Sequence, residues 1–393
     1  MCAMRQSNIA KKVLVLLSNV SVTHRRHLRG ILEYVHGTIF PPWEVQLGLS
    51  DIDAGYKQNL SPGNYDGIIA AVHRAEDRRR ILASGIPAVL YEPPLCMPPR
   101  RARPHNVVTF FNDHEVEGNT AAEYFLERGY TSFAYVGTAV RTAWSEARMI
   151  GFRARLSKDG FSPAIYTPPP YTARKDFALE AKHLVAWLRK LPSRTALFAA
   201  HDERAREVVL AARRAGLAIP DDMAVMGVDD DELLCSTASQ PISSIAVDAR
   251  ETGILFAKAL ESLMDGHAHD PIIRTCHTRI VARRSTDAFA FNDPLLSRAL
   301  SYAAANLAVH PRMEDLATAA RCSIRTLQLR AKAILGRTIK DEISALQVHE
   351  ASRRLSIRDG KPDEIARATG FYNASHMYRR IQNCNGKVSK FEI

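Results

Sequence analysis

Three side chains of a short basic segment have the chemistry and the spacing to recognise DNA bases. Arg325, Gln328 and Leu329 are three and four residues apart, so a helix would place them on one face. An arginine can donate two hydrogen bonds to guanine, a glutamine can pair with adenine, and a leucine can contact the methyl group of thymine. Arg330 and Lys332 are better suited to phosphate oxygens. The segment therefore predicts a helix that lies in a DNA major groove.

The residues around this segment predict the helix pair that would position it. Ser323 is a suitable N-cap for a recognition helix, since its hydroxyl can accept a backbone N–H of the first turn. Leu316 and Ala320 share one face of a shorter preceding helix. Leu327 and Ile334 are expected to pack inward from the recognition helix. A short amphipathic helix, a tight turn and a basic helix together predict a helix-turn-helix.

A second copy of the pattern follows along the chain. The run Glu314–Ala319 aligns with Asp363–Ala368 at an offset of 49 residues, and Gly370 with Phe371 would form the second turn. A helix over about residues 340–355 would set the two recognition helices about one DNA turn, roughly 34 Å, apart. One chain could then contact successive major-groove segments. The outward candidates of the second unit are Asn373, Ser375, His376 and Arg379, with Arg380 nearby.

Basic residues are concentrated in the last quarter of the chain. Residues 293–393 hold 17 Lys and Arg against 10 Asp and Glu, which is a net charge of +7 out of +11 for all 393 residues. A module that faces DNA phosphates is expected to be basic. A basic surface kept for solubility, or an ordinary helical bundle, is the alternative interpretation, and the internal repeat favours DNA binding over both.

Residues 10–285 alternate short apolar runs with amphipathic helical patterns. Such alternation predicts an α/β fold with parallel sheets that are covered by helices on both faces. About 280 residues is long for one such sheet, so we expect two lobes, with a ligand cleft at the carboxyl ends of the strands. The predicted strands are Val13–Leu17, Glu44–Leu49, Ile68–Val72, Ala88–Tyr91, Val107–Phe111, Phe133–Val136, Ala196–Ala199 and Ala224–Val228, and the predicted helices are His24–His36, Glu115–Arg128 and Glu203–Ala215.

We place a domain boundary between residues 287 and 288. Residues 1–287 would form the two-lobed α/β domain, and residues 288–393 an all-α domain with two helix-turn-helix units. A linker is expected at about residues 286–293. Asp293 can cap the helix that follows it, and Pro294 suits a first helical turn.

Polar side chains that could bind a ligand lie where the predicted strands end or the next helices begin. A carboxylate can accept from two adjacent hydroxyl groups, and an arginine offers a rigid fork of donors. An N-cap is the alternative role for Asp202 and Asp113, and a core position is the alternative for Trp144. Asp230 and Asp231 are interpreted as turn or cap residues. The candidates are Arg25, Asp113, Trp144, Arg148, Asp202 and Asp229.

Segments across residues 10–285 resemble the periplasmic-binding-protein-like sugar domain of LacI-type repressors. These segments are Tyr65–Ala70, Gly85–Val89, Glu117–Gly137, Arg148–Phe152 and Ala196–Asp231. The resemblance implies a sugar ligand whose hydroxyl groups accept hydrogen bonds from Arg148 and donate hydrogen bonds to Asp202 and Asp229. It also suggests that the ring of Trp144 stacks on the apolar face of the sugar.

Residues 293–393 resemble throughout the DNA-binding domain of AraC/XylS-type regulators. They depart from it at Ala331 and Ile381, where the family usually has phenylalanine, and at Leu329, where it usually has arginine. Its final Ser-Pro-x-x-Tyr-Arg pattern is also replaced, at residues 388–393. These departures predict a looser core in each unit and altered base recognition.

The two domains together resemble bacterial regulators of pentose operons. The resemblance implies D-xylose or a related pentose as the effector and a homodimer on operator half-sites in double-stranded DNA. It further implies activation of transcription, with RNA polymerase as another partner. A regulator of the same architecture that responds to a hexose, a nucleoside or a sugar acid is the alternative. Arg141, His24, His73 and His201 could favour such a charged ligand.

Composition and motifs argue against other classes of protein. The six cysteines form no CxxC pair, so neither a disulfide framework nor a metal site is expected, and no cofactor is predicted. GxxxxGK[ST], HExxH, GxSxG and a strand-linked GxGxxG are missing from the sequence, which argues against an enzyme. Val13–Leu17 is too short for a secretion signal or a membrane span. We therefore expect a cytoplasmic protein and not a transport binding protein.

Overall fold

The computed structural model describes residues 10–18, 21–48, 60–61, 63–72, 74–91, 105–139, 142–169, 177–267, 272–275, 278–287, 289, 291, 293–356 and 360–388. The chain divides into two compact units. Unit 1 comprises residues 1–118, 141–151 and 246–279, and unit 2 comprises residues 119–140, 152–245 and 280–393. Each unit contains one α/β lobe, and unit 2 also contains the helical C-terminal region. The predicted fold class is confirmed.

Unit 1 is built on a six-stranded parallel sheet. Its strands are β1 (Lys12–Leu16), β2 (Glu44–Gly48), β3 (Gly67–Ala71), β4 (Ala88–Tyr91), β5 (Val107–Asn112) and β11 (Ile272–Thr275), in the order β11-β5-β4-β3-β1-β2. The helices of this unit are α1 (Val22–Thr38), α2 (Ala75–Ala83) and α8 (Ala249–Met264). Helices α3 (His114–Glu127) and α4 (Ala143–Ser157) begin in unit 1 and end in unit 2.

Alternate residues of each strand in unit 1 point to opposite faces of the sheet. Val13 and Val15 of β1 pack with Ile31 of α1 and with α8, whereas Leu14 packs on the other face with Ile81 of α2. Both faces are therefore covered, which explains why these strands are continuously apolar.

Helices α1 and α8 approach closely because each has a glycine at the crossing. A Cβ atom on Gly30 would lie 2.0 Å from the carbonyl oxygen of Arg250, and one on Gly253 would lie 2.1 Å from that of His27. The crossing excludes any larger residue at both positions unless the helices move apart.

Unit 2 contains the second six-stranded sheet. Its strands are β6 (Ser132–Val136), β7 (Ala164–Ile165), β8 (Thr195–Ala199), β9 (Met223–Val228), β10 (Ser243–Val247) and β12 (Thr278–Val281), in the order β12-β10-β9-β8-β6-β7. Strands β10, β9, β8, β6 and β7 pair in parallel. The helices of this lobe are α5 (Phe177–Leu188), α6 (Asp202–Ala215) and α7 (Glu232–Thr237).

The helical region packs around two apolar clusters that are joined by one long helix. Its helices are α9 (Pro294–Ala305), α10 (Met313–Ala320), α11 (Ile324–Leu335), α12 (Ile339–Ser356), α13 (Pro362–Ala368) and α14 (Ala374–Val388). The first cluster contains Leu316 and Leu327, and the second contains Ile365, Phe371 and Met377. Each cluster is the core of one helix-turn-helix unit.

The internal repeat is visible in how the two helix-turn-helix units begin. The backbone N–H of Arg312 donates to the carboxylate of Asp315 at 2.9 Å, and that of Lys361 donates to Glu364 at 2.9 Å. Both pairs lie 49 residues apart along the chain, so the same capping contact starts α10 and α13. The recognition helices begin at Ile324 and at residue 374, an offset of 50, because the second turn is longer.

The connection from the lobe to the helical region is packed along most of its length. Ser285 and Thr286 are buried, and Thr286 lies 2.7 Å from the hydroxyl of Ser243 in β10. The rings of Phe289 and Phe291 stack with centroids 6.1 Å apart, and Phe289 belongs to the core of the first helix-turn-helix unit. The predicted caps are confirmed, since Asp293 accepts the backbone N–H groups of residues 295 and 296.

The predicted strands and helices are found with their ends shifted by no more than two residues, and Ser323 caps α11 as expected. One inward position was predicted wrongly. Ile334 is 42% exposed, and Ala331 occupies the buried position in its place. Ile334 lies in the last turn of α11, and the residues of that helix that pack in the first cluster are Leu327, Ala331 and Leu335. None of the helices in the described segments has the length and hydropathy of a membrane span.

Candidate functional site

A buried ion pair fixes Arg148 in unit 1. Arg148 lies on α4 with 4% of its side chain exposed, and its Nε donates to the carboxylate of Glu117 on α3. The ring of His114 lies 3.0 Å from the same carboxylate oxygen. Burial disfavours the ionised form of Glu117, but Arg148 and His114 outweigh it and lower the pKa of this carboxyl to about 2. A carboxylate that stays ionised keeps the guanidinium in one orientation.

Trp144 belongs to the same cluster. Its ring centroid lies 4.9 Å from the guanidinium carbon of Arg148, within the range of a cation–π contact, and its side chain is half-buried. The structure therefore brings two of the predicted ligand residues together. Glu117, which orients Arg148, was not among the predicted residues. Its partner lies 31 residues further along the chain, so no local pattern indicates the contact.

The other two candidates of unit 1 lie at the beginnings of helices. Arg25 is exposed in the first turn of α1, whose cap is Ser21. Asp113 is half-buried between β5 and α3, and its backbone N–H donates to Thr275 of β11 at 3.0 Å. Both residues thus follow carboxyl ends of strands, as predicted.

Asp202 lies in the interior of unit 2, with 2% of its surface exposed. Its Oδ1 accepts from the hydroxyl of Ser244 at 2.6 Å, and its Oδ2 accepts from the backbone N–H of Asp231 at 2.7 Å. It does not cap α6, because the ring of His201 takes that role by accepting the N–H of Arg204 at 3.0 Å. Burial, followed by the charge of Asp229, raises the pKa of Asp202 to about 8.

Asp229 follows β9 in a backbone conformation that only glycine adopts readily. Its φ is +100°, and its N–H donates to Ile245 of β10 at 2.9 Å. Strained backbone of this kind concentrates at functional sites, because the surrounding structure must enforce it. The two neighbouring acids have structural roles, as predicted. Asp230 forms an ion pair with Arg283 at 2.7 Å, and Asp231 accepts the N–H of Leu233 as the cap of α7.

The first recognition helix presents the predicted base-contacting side chains. Arg325, Gln328 and Leu329 are all exposed, and Leu329 is 61% exposed although it is apolar. Arg330 is half-exposed, and its Nη1 donates to the buried carboxylate of Asp293, which caps α9. Arg330 therefore ties the recognition helix to the start of the helical region, in addition to the phosphate contact predicted for it.

The second recognition helix combines predicted and unpredicted exposed residues. Ser375 and Arg379 are exposed, whereas Asn373 uses its side-chain oxygen to accept the N–H of His376 at 2.8 Å. The ring of His376 packs edge-on against Phe371, with centroids 5.5 Å apart. A shallow concavity of about 510 Å³ is lined by the four predicted residues and by one more, Tyr372.

Two tyrosines complete this surface and were not predicted. Tyr372 is 87% exposed and Tyr378 is 43% exposed. With the offset of 50 residues between the recognition helices, Tyr378 is the counterpart of Gln328, and that alignment is the signal that could have identified it. Elsewhere in the described residues, no group of three or more His, Cys, Asp or Glu side chains is arranged to hold a metal ion.

Comparison with known proteins gives matches in both halves of the chain. Residues 122–286 match a periplasmic binding protein-like domain, and residues 316–387 match a helix-turn-helix domain. The xylose operon regulatory protein of Haemophilus influenzae is 28% identical over 262 residues, which are 66% of this chain and 67% of that protein. The chain is therefore similar to the xylose operon regulatory proteins over about two thirds of its length. The Escherichia coli (strain K12) protein of the same description is 26% identical over 65% of this chain and 66% of its own length.

One solved structure matches nearly the whole of this chain. A xylose-binding transcription activator, xylR, matches 96% of both chains with a TM-score of 0.62 and 22% sequence identity. This likeness concerns the fold. The two domain matches and the similarity to the xylose operon regulatory proteins confirm the prediction of a transcription regulator in which a periplasmic-binding-protein-like region precedes an AraC-type helix-turn-helix domain.

Proposed function

We propose that this protein activates transcription of pentose-catabolic genes in response to D-xylose or a closely related pentose. The observation that carries the proposal is that one chain, similar to the xylose operon regulatory proteins, has two kinds of candidate binding residues. One consists of oriented polar residues at strand ends, and the other is a pair of exposed recognition helices. The domains of this regulator would be residues 1–287 and 288–393.

The sugar would be bound by donors, acceptors and one aromatic ring. Arg148, oriented by Glu117, would donate to hydroxyl groups, and Asp229 would accept from them. Trp144 would stack on the apolar face of the sugar ring. Arg25 and Asp113 are further proposed contacts. Asp202 would act mainly through the network that positions the backbone around Asp231, because both of its oxygens are already hydrogen-bonded.

DNA would be bound through the exposed faces of α11 and α14. Arg325, Gln328 and Leu329 would contact base edges in one major groove, and Ser375, His376 and Arg379 in the next. Asn373 would support the second helix as its cap. We propose a homodimer on two half-sites, which recruits RNA polymerase when the sugar is bound. A sugar can favour the active conformation only by its higher affinity for that state.

The alternative of a charged sugar derivative has less support than the sequence suggested. Two of the four residues that could favour it have structural roles. His24 accepts the N–H of Ser18 at 3.1 Å, and His201 caps α6. His73 and Arg141 lie outside the described residues. A neutral pentose therefore remains the first choice of effector.

The test is calorimetry of the full chain with D-xylose, D-glucose, L-arabinose and D-ribose. Saturable binding of D-xylose is expected, and Asp229→Asn should weaken it roughly 10- to 100-fold, since a hydrogen bond to a charged group contributes about 1.5–3 kcal/mol. Asparagine tolerates positive φ, so the backbone should be preserved. Glu232→Gln, an exposed charge three residues away, is the matched control. Equal losses in both variants, or no heat with any of the four sugars, would refute the assignment.

DNA binding needs a separate measurement. Arg325→Ala should weaken binding to the operator by about 1–3 kcal/mol and leave D-xylose binding unchanged. A variant that lost both activities would show that the two surfaces are not independent.

A further inference from the structure

A cavity with several charged and hydroxyl side chains in its lining lies within unit 2, between the α/β lobe and the helical region. Its volume is about 360 Å³, which is within the usual range for small-molecule sites. The lobe contributes Tyr130, Arg194 and Asp221, and the connection contributes Phe289. The remaining lining residues come from α9 and α10, and they are Ser297, Arg298, Ser301, Tyr302 and Ala319.

Two arginines line this cavity, one from the lobe and one from the helical region, and each donates a hydrogen bond to a backbone carbonyl. Arg194 donates to the carbonyl oxygen of Phe291 at 3.4 Å, and Arg298 donates to that of Ala320 at 3.0 Å. Ala320 is the last residue of α10. Each contact uses one of the five N–H donors that a guanidinium carries.

Arg194 and Arg298 have no carboxylate within ion-pair distance among the residues that the structure describes. Arg194 is partly buried and Arg298 is exposed, whereas Arg204 and Arg283 of the same unit form ion pairs with Glu180, Glu207 and Asp230. Asp221 also lines the cavity, so the three charged side chains sum to +1. One carboxylate neutralises only part of the charge of two hydrogen-bonded guanidinium groups, so the cavity is suited to an external anion.

The backbone at Arg194 adds to this argument. Its φ is +63°, a conformation that L-residues rarely adopt, and its N–H donates to Asp222 at 2.7 Å. Arg194 is thus held, directly before strand β8, in a conformation that glycine would adopt without strain.

We propose that this cavity binds a small phosphorylated metabolite, with its phosphate between Arg194 and Arg298 and its remaining hydroxyl groups on Ser301 and Tyr302. Arginine guanidinium groups recognise phosphate oxygens through paired hydrogen bonds. The bound anion would join the lobe to α9, and through Ala320 to the turn before the recognition helix α11. It would therefore alter DNA affinity. The site is separate from the proposed sugar residues, and it stands whether or not those residues bind a pentose.

The test uses the full chain and ribose 5-phosphate as the probe, with ribose and inorganic phosphate as controls, at constant ionic strength. Calorimetry should show saturable binding of ribose 5-phosphate. Arg194→Gln and Arg298→Gln should each weaken it at least about tenfold. Arg213→Gln, an exposed arginine on α6, should not weaken it. Asp221→Asn should strengthen binding, because it removes a like charge without touching the fold's interior.

Each control separates one other explanation. Equal affinity for inorganic phosphate would assign the site to the free anion. Binding that survives both arginine substitutions would place ribose 5-phosphate elsewhere, including at the sugar residues, and would overturn the proposal. The proposal would also be overturned if ribose 5-phosphate showed no saturable binding. It would be overturned as well if Arg194→Gln weakened DNA binding and left ribose 5-phosphate binding unchanged, since the arginine would then contact DNA. The sign of the Asp221→Asn effect remains informative if Arg298→Gln disturbs folding.

Discussion

At the scale of single residues, the carboxyl group of Asp202 makes the stability of unit 2 depend on pH. Its pKa is about 8 in the folded chain, whereas an aspartate in an unfolded chain has a pKa of about 3.9. Between these two pKa values, the carboxyl group of Asp202 is protonated in the folded chain and ionised in the unfolded chain. The free energy of unfolding is therefore greatest at low pH with respect to this group, and it falls as pH rises through about 8.

Asparagine at this position should remove that dependence. In Asp202→Asn, the amide oxygen can accept from Asp231 and the amide nitrogen can donate to Ser244, so the local hydrogen bonds can be preserved. Urea unfolding between pH 5 and pH 9, followed by circular dichroism, should show the wild type losing up to about 1.4 kcal/mol per pH unit relative to the variant. Parallel pH profiles for the two proteins would contradict the raised pKa.

At the scale of elements, the turns of the two helix-turn-helix units solve the same problem with different residues. Arg321 ends α10 with φ +55°, and Gly370 has φ +76° at the corresponding place in the second unit. A left-handed conformation costs an L-residue roughly 1–2 kcal/mol but costs glycine little. The turn of the first helix-turn-helix unit is therefore less stable with Arg321 than it would be with glycine at that position.

Arg321→Gly should stabilise the first unit by about 0.5–1 kcal/mol, measured as slower hydrogen exchange of the amides in α10. Arg321→Ala is the control, because it removes the same side chain and keeps the Cβ atom. Gly370→Ala should have the opposite effect on α13, since its Cβ would lie 2.4 Å from the carbonyl oxygen of Leu307. Equal protection in the glycine and alanine variants would show that the turn stores no strain.

The elements also show where prediction from sequence succeeds and where it ends. Strands such as β4 and β9 are apolar throughout, because both of their faces are covered, and that pattern is local. Strand β10 begins with Ser243 and Ser244, which are typical of a loop. Both are fully buried because their hydroxyls bond to Thr286 and Asp202, which lie about 40 residues away in the chain. Hydrogen-bond partners so distant in the chain cannot be predicted from the residues next to Ser243 and Ser244.

At the scale of the whole molecule, one helix connects the candidate ligand residues with the connection to the DNA-binding region. Near its start, α3 carries Glu117, which holds Arg148. Near its end, Tyr124 lies 2.8 Å from the hydroxyl of Thr286, and Gly129 follows in a left-handed turn with φ +77°. A Cβ atom on Gly129 would lie 2.4 Å from the ring of Phe291. We therefore expect the close approach of Gly129 and Phe291 to couple sugar binding to the position of the recognition helices.

Gly129→Ala should uncouple the two activities without abolishing either. The methyl group would displace Phe291, so D-xylose binding and operator binding should each persist while the effect of D-xylose on operator affinity diminishes. Fluorescence anisotropy of labelled operator with and without the sugar measures this coupling. Gly160→Ala is the matched control, since Gly160 has φ +79° with open space around its Cβ position. Unchanged coupling in Gly129→Ala would exclude this route.

The two recognition helices carry different outward side chains, and this difference gives the molecule a polarity along DNA. At the three equivalent outward positions, the first recognition helix carries Arg325, Gln328 and Leu329, and the second carries Ser375, Tyr378 and Arg379. No position matches, so the sequence recognised by one chain cannot be the same when the chain is reversed on the duplex. Each half-site consequently has a head and a tail. Two half-sites arranged as direct repeats would orient both chains toward the same flank, and a promoter on that flank would be distinguished from one on the other side.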